Sequence, residues 1–435
     1  MLQQLYHRIK ASDIARRMMS GAFWSFTGTA LGKFCVLLTG IICARILGKE
    51  QFGELGMVRS TIGMFIILGA GGIGVTATKF ISSYRQDEPQ HAASIYRLSM
   101  LFSLSLGILT TLLLLGFTGC LAESFLKSSE LAYPLIIGSA VLFLSILNSS
   151  ENGTLAGLED FRSIAINTLI SSFVESACMI AGAYFYQIEG AIAGFAIGVL
   201  VLYLANKRSA LRSLRRAGIP TKTSHVAKED WQLIYKYCIP ATLSALTVTP
   251  VFWLVRTLLV RGEGYSELGS FEAADQWKVI ILFVPGAISQ IVLPIMASIK
   301  ETAKFRRTLA GNILLIGVVS ALLAIPTLFL APVIMPLYGK TFTDMAPLTY
   351  LAISTIPTAL AQILEMTLYS RDRMWTCFAF NLLWGASAVV LSYYFLHTGQ
   401  GAAGVALAIL LAYLLKMLCM GGYLFSFISK GGAPQ

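Results

Sequence analysis

The chain has 435 residues, 56% hydrophobic and only 13% charged, against the ~25% charged fraction usual in soluble domains, so a water-soluble enzyme is excluded. Its net charge of +11 would suit nucleic acid, but the cations sit in short connectors without any folded recognition module. Seven cysteines, none in a C-x-x-C pair, and four scattered histidines give neither a disulfide framework nor a zinc site, and no cofactor is expected.

A helix needs ~20 apolar residues to cross a bilayer, because lipid offers backbone N–H and C=O groups no partner. About twelve runs qualify on that criterion. They are Gly21 to Ala44, Leu55 to Ser82, Leu98 to Cys120, Tyr133 to Leu155, Ile164 to Tyr186, Ala191 to Ala205, Tyr237 to Val260, Leu268 to Ile299, Leu309 to Ala331, Pro347 to Tyr369, Trp375 to Leu396 and Ala402 to Ser426. The first is too long and too late for a cleaved signal. Most Lys and Arg fall in the N-terminal tail, the loops after even-numbered runs and the C-terminus, which places both termini in the cytosol by the positive-inside rule.

The chain therefore parses into an amphipathic cytosolic segment (1–20), a six-helix N-lobe (21–205), a basic cytosolic connector beside anionic headgroups (206–236), a six-helix C-lobe (237–426) and a cytosolic tail (427–435). The lobes echo one another. "ARILGKEQFGELGMVRS" (Ala44 to Ser60) shares its Glu-Leu-Gly triplet with "VRTLLVRGEGYSELGSFEAADQ" (Val255 to Gln276). "EDFRSIAIN" (Glu159 to Asn167) resembles "RDRMWTCFAFN" (Arg371 to Asn381), and "EGAIAGFAIGVLVLYL" (Glu189 to Leu204) resembles "QGAAGVALAILLAYL" (Gln400 to Leu414). An even number of spans per half makes the repeats parallel, with a cavity expected between them. "LGAGGIGVTATKF" (Leu68 to Phe80) and "FVPGAISQIVLP" (Phe283 to Pro294) interrupt their helices at corresponding places. Such pairs mark a translocation site or close helix packing by small residues.

Charges inside these runs are the candidate site. Lys33 lies near the middle of the first run, where a lone ammonium costs at least ~2.5 kcal/mol, and Glu175, in the fifth, is its expected partner. Lys416 and Glu365 lie inside the last and tenth runs. Glu272, Asp275 and Lys278 share a helix face and read either as a site or as a solvated outer helix end with internal salt links. Arg45, Arg59 and Arg256 are cavity cations or snorkelling side chains, and Lys79 is a topology anchor. Lys33, Arg45, Arg59, Arg256, Lys278 and Lys416 are thus the candidate substrate-binding cations, and Glu175, Glu365 and Asp275 the candidate ion-coupling carboxylates. There is no catalytic constellation: "GKT" at Gly339 to Thr341 lacks the P-loop glycine, Ile334 standing in its place. The Asn148 and Asn152 glycosylation patterns fall near the cytosolic face and are discounted.

"ARILGKEQFGELGMVRS" and "LGAGGIGVTATKFISSYR" resemble the start of the polysaccharide flippases, the O-antigen, capsule and exopolysaccharide repeat-unit translocases of the multidrug/oligosaccharidyl-lipid/polysaccharide exporter superfamily. The family often has Arg where Lys79 stands. The resemblance implies the two-lobed, V-shaped fold of multidrug and toxin extrusion transporters in the bacterial inner membrane. It also implies a polyprenyl-pyrophosphate-linked oligosaccharide as substrate, flipped by alternating access. Lys33 looks like the counterpart of a cavity cation in the related lipid II flippases, which usually carry extra terminal spans. The drive would be an H+ or Na+ gradient, or consumption of the product by a polysaccharide polymerase. Two rivals are a multidrug antiporter of the same fold, whose cavity would favour carboxylates and aromatics, and a non-transporting membrane scaffold.

Overall fold

The computed structural model describes residues 13–70, 72–221, 231, 238, 242, 246–299, 301–371 and 373–429. The tail cations Arg8 and Lys10, the later part of the expected connector and the start of the seventh expected span lie outside them. Among the described residues twelve helices follow in chain order: α1 (Asp13–Ala70), α2 (Ile73–Tyr84), α3 (Pro89–Cys120), α4 (Ala132–Gly157), α5 (Phe161–Arg216), α6 (Thr249–Glu263), α7 (Tyr265–Ile281), α8 (Phe283–Ser298), α9 (Thr302–Leu337), α10 (Ala346–Tyr369), α11 (Met374–His397) and α12 (Gly401–Ser429). A π turn, Leu121–Phe125, and a 3-10 turn, Ser129–Leu131, join α3 to α4. Among the described residues there is no strand, and eight helical segments are long and apolar enough to cross a membrane.

α1 and α5 contain 58 and 56 residues, more than twice what a ~30 Å hydrocarbon layer holds at ~1.5 Å per residue, and each is broken. In α1 the break is Gly48 (φ 80, ψ 175), a conformation cheap only for glycine. Gly40 before it lies against Gln276, and Gly56 after it against Glu272, one turn apart on α7, so α1 folds back at Gly48. In α5, Tyr186 and Gln187 (φ 50, ψ −130) make the turn. A Cβ on Gly182 would overlap the Gly190 carbonyl oxygen, and one on Gly190 that of Gly182, so small residues let the two arms close on each other. Asp160 caps the start of α5: its carboxylate accepts from Ser163 N–H (3.1 Å), and also takes the Ser213 hydroxyl from the helix's far end (2.6 Å).

The two expected helix interruptions are present. α1 stops at Ala70 and α2 restarts at Ile73, while α7 stops at Ile281 and α8 restarts at Phe283. The second break follows from Pro285, which has no N–H for the Ile281 carbonyl and crowds it. At the first, Gly72 packs on the Cys238 backbone and Gly74 on the Ser149 backbone, so close packing is one of its uses.

The chain packs as two compact units, one of Met1–Val36, Ile62–Gly119 and Ala132–Leu246, the other of Leu37–Thr61, Cys120–Leu131 and Thr247–Gln435. The first unit is centred on Phe80, Ile81, Ile95, Tyr96 and Leu214, where α2, α3 and α5 meet. The second is centred on Met296, Phe305, Ile316, Ile363, Leu368 and Met420, joining α8, α9, α10 and α12. On α9 the exposed side chains Leu314, Val318, Leu322, Ile325, Phe329 and Val333 form one stripe at helical spacing. A contiguous apolar stripe of this kind belongs against lipid, not water.

The Gly48 turn has a counterpart in Gly264 (φ 88, ψ 179) between α6 and α7. Past the two turns the helices cross: a Cβ on Gly53 would overlap the Tyr265 carbonyl oxygen, and one on Gly269 the Lys49 carbonyl oxygen. The contact is reciprocal, so Gly48 corresponds to Gly264 and Gly53 to Gly269. The Glu-Leu-Gly match, which would set Gly56 against Gly269, is out of step with this register.

Candidate functional site

Charges sunk in apolar helices need partners, and in the second unit the partners are internal. Arg256 on α6 and Glu272 on α7 flank the Gly264 turn, which brings them face to face. The Arg256 guanidinium donates through Nε to Glu272 and through Nη2 to Asp275 Oδ2 (2.9 Å), and Lys278 Nζ donates to Asp275 Oδ1 (3.2 Å). The side chains of Arg256, Glu272, Asp275 and Lys278 are 11, 15, 16 and 6% exposed. The solvated helix end considered for this stretch is therefore not what forms. Arg256 does not snorkel; it lies near the rings of Phe252 and Phe271, and Lys278 Nζ stands 4.6 Å from the Phe252 ring centroid, a cation–π geometry.

A second group of this unit joins α10, α11 and α12. Glu365 Oε2 accepts from Lys416 Nζ at 3.1 Å, while its Oε1 accepts from the Tyr369 hydroxyl and the Asn381 amide, each at 2.9 Å. Lys416 also donates to Asn381 Oδ1 at 2.6 Å. Every polar atom of the carboxylate is answered. Arg45, by contrast, is exposed and donates to the Leu337 carbonyl at the end of α9, and Arg59 is half-buried on the second arm of α1. Lys49 pairs with Glu267 at 3.2 Å.

In the first unit Lys33 and Glu175 are half-buried at one level of the α1/α5 contact. Gly32 faces Ser172, with its Cβ position 3.2 Å from Ser172 Oγ, and Glu175, one turn further along α5, lies against Gly198 on the other arm of the hairpin. Lys79 is exposed.

The same unit holds a polar group that sequence reasoning passed over. Glu151 on α4 is fully buried; its Oε1 accepts from Tyr96 (3.4 Å) and its Oε2 has no hydrogen-bond partner among the described residues. Beside it runs an amide chain. Asn167 donates to Asn206 (2.9 Å) and Ser209 (3.0 Å), and Asn206 donates to Asn148 (2.9 Å), one turn before Glu151. The signal was present in the two echoes, one ending at Asn167 and Asn381, the other ending two residues before Asn206 and Lys416. At the far end of α5, Leu204, Lys207, Arg208, Leu211, Arg212, Arg215 and Arg216 line a groove of about 650 Å³.

Among the described residues no cluster of three His, Cys, Asp or Glu is placed to hold a metal. The arrangement can hold and exchange cations and meet an anionic headgroup with Lys and Arg; the groups described are buried ion pairs and hydrogen-bonded amides.

Comparison with known proteins fits this description. Residues 18–300 match the family model described as "Polysaccharide biosynthesis protein". The EPS I polysaccharide export inner membrane protein of Ralstonia nicotianae is 21% identical over 402 residues, covering 88% of each chain. A putative O-antigen transporter of Shigella dysenteriae is 24% identical over 313 residues, 69% of this chain and 72% of that one. These relatives are named as exporters or transporters, not as enzymes. An inward-facing multidrug resistance MATE family transporter of the MOP superfamily superposes with TM-score 0.75 at 17% identity, covering 92% of this chain and 96% of that one. A MOP superfamily transporter from Pyrococcus furiosus, described as having a binding pocket of reverse polarity, gives 0.71 at 17% identity and 95% coverage of each. The fold is that of these transporters.

Proposed function

The chain belongs to the polysaccharide biosynthesis protein family, and on that premise we propose that it is a flippase for a polyprenyl-pyrophosphate-linked oligosaccharide repeat unit, working by alternating access of two six-helix lobes (21–205 and 237–426) joined by the basic connector 206–236. The names of the Ralstonia and Shigella relatives support a polysaccharide cargo and an inner-membrane location. A sugar chain cannot cross hydrocarbon unaided, and a diphosphate needs cations that replace its water.

The observation that carries the reading is the burial of Arg256, Lys278 and Lys416, whose side chains are 11, 6 and 6% exposed, within apolar helices. Such charges are retained in membranes where they serve a pathway or a ligand. Lys33, Arg45 and Arg59 are the cations we assign to first contact with the diphosphate, as forked or point donors. Arg256, Lys278 and Lys416 reach it only by leaving Glu272, Asp275 and Glu365, so Glu365 and Asp275, with Glu175, are the carboxylates through which an ion gradient would act. The groove at Lys207 to Arg216 faces cytosolic anionic headgroups, with both termini on that side. A polymerase consuming the product at the outer leaflet would pull the cycle forward.

The test is reconstitution into liposomes with lipid-linked oligosaccharide in the outer leaflet and a membrane-impermeant sugar-modifying reagent as readout. Protein-dependent loss of accessible sugar is expected. An inert protein that instead lowers dye accumulation in a drug-sensitised strain would identify the multidrug antiporter that the MATE fold also suits.

A further inference from the structure

The two units contain the same polar device with one residue exchanged. Glu365 precedes Asn381 by sixteen residues, and Glu151 precedes Asn167 by the same interval. Lys416 and Asn206 each stand three residues after a tyrosine, Tyr413 and Tyr203, in the aligned stretches. Each carboxylate takes a phenol on Oε1, from Tyr369 at 2.9 Å and from Tyr96 at 3.4 Å. Each asparagine reaches the last helix of its half: Asn381 is bonded to Lys416 and Asn167 to Asn206.

The halves differ in what arrives at the second carboxylate oxygen. Lys416 brings an ammonium to Glu365 Oε2 at 3.1 Å. Asn206 brings a neutral amide, and its donor goes to Asn148 instead. Glu151 Oε2 is left enclosed without a partner on a residue with no exposed surface. A buried carboxylate oxygen without a donor is costly, and a small mobile cation removes that cost where the tethered one is absent.

The geometry points to Glu151 as an exchangeable proton site, the counterpart of the place the tethered ammonium of Lys416 occupies in the other half. Loading forms one O–H bond at Oε2 with a proton from water and gives the neutral acid; unloading returns that proton to water. The groups around it are Tyr96 from α3 and Lys207 from α5, with Tyr203 beside Lys207, while Thr78 of α2 meets the helix of Glu151 at Gly153. Lys207 Nζ is turned to the Tyr203 hydroxyl at 3.2 Å, and Thr78 donates to the Gly153 carbonyl at 3.1 Å. A metal cation is a poorer occupant, since hard ions gather about six oxygens and no cluster of three acidic, His or Cys ligands surrounds this one among the described residues.

The site stands apart from the identity of the cargo; its use in coupling rests on the transport reading. The experiment is infrared difference spectroscopy of the purified full chain in nanodiscs between acidic and neutral pH. Wild type is expected to show a protonated-carboxyl C=O band that Glu151→Gln lacks, the glutamine keeping shape and the Tyr96 contact. Asn206→Lys, which supplies the missing ammonium, should abolish the band, and Lys416→Asn should add one from Glu365. A band that survives Glu151→Gln, or no band in wild type, overturns the proposal, as does a carboxylate band shifted by sodium at neutral pH, which would assign the site to that ion. Failure of wild-type protein to flip lipid-linked sugar with the band intact would defeat the flippase reading and leave the site standing; normal flipping without the band would do the reverse.

Discussion

Glu365 and Glu151 occupy like positions in the two halves, and the difference between them lies in one side chain of the last helix. At Glu365 the set of donors is complete: phenol, amide and ammonium converge on one carboxylate. At Glu151 a phenol is the single donor among the described residues, and the amide chain of Asn206, Asn167 and Ser209 closes on itself and Asn148. The comparison teaches that duplication preserves the place of a buried charge more faithfully than its compensation. One half keeps an ion pair as part of its packing, the other an acid whose state depends on its surroundings.

The sharpest way to break this contrast is Lys416→Met. It strands Glu365 Oε2, and losing one member of a buried pair costs about 3–5 kcal/mol, to be read as a fall in thermal stability of detergent-purified protein. A wild-type melting curve would show that Lys416 is not the structural counterion. Next come Gly53→Leu and Gly269→Leu, each forcing side-chain atoms onto a facing carbonyl at a cost of about 1–3 kcal/mol. Similar losses in denaturant melts are expected from both; a large loss from one alone would undo the reciprocal register.

Lys33→Ala and Glu175→Ala test whether the first unit's other charges work on cargo rather than hold the fold. Export of surface glycan should fall about tenfold, equivalent to ~1.4 kcal/mol, with protein abundance on immunoblots near wild type; parallel loss of protein would make the pair structural. Asn206→Ala removes ordinary hydrogen bonds worth about 1 kcal/mol and should shift the melt far less than Lys416→Met, the two together measuring how unlike the halves are. Arg212→Gln is the smallest: within about 0.5 kcal/mol in stability, with a reduced preference for anionic over neutral vesicles as its visible effect. Unchanged vesicle selectivity would remove the α5 groove from headgroup contact.

The apolar runs, the helix breaks between Ala70 and Ile73 and before Pro285, and the existence of a repeat were legible because each depends on local composition or on a backbone group proline and glycine alter directly. The register of the repeat was less so. Glu-Leu-Gly is a match of residue types, whereas what is preserved is the glycine turn and the glycine crossing, so Gly48 and Gly264, not the two triplets, carry the alignment. The ion pairs of Arg256 and Lys416 could not be assigned from spacing, since their partners come from neighbouring helices, and Glu272 to Lys278 looked like a helix end because its burial depends on the folded-back hairpin of α6 and α7. Glu151 escaped notice inside "NSSENGT" (Asn148 to Thr154), a stretch whose small polar residues suggest a surface when they in fact permit close packing, as Gly153 on Gly74 shows.

The hairpin of α5 bears on how the chain enters the bilayer during synthesis. Its arms meet at Gly182 and Gly190, at Cys178 and Gly194, and at Glu175 and Gly198, contacts that need no other part of the molecule. Emerging from the insertion machinery as a closed pair, the arms cover part of the Glu175 side chain before later spans exist, so a segment that would be poorly retained as a single passenger is delivered as a ready-made unit.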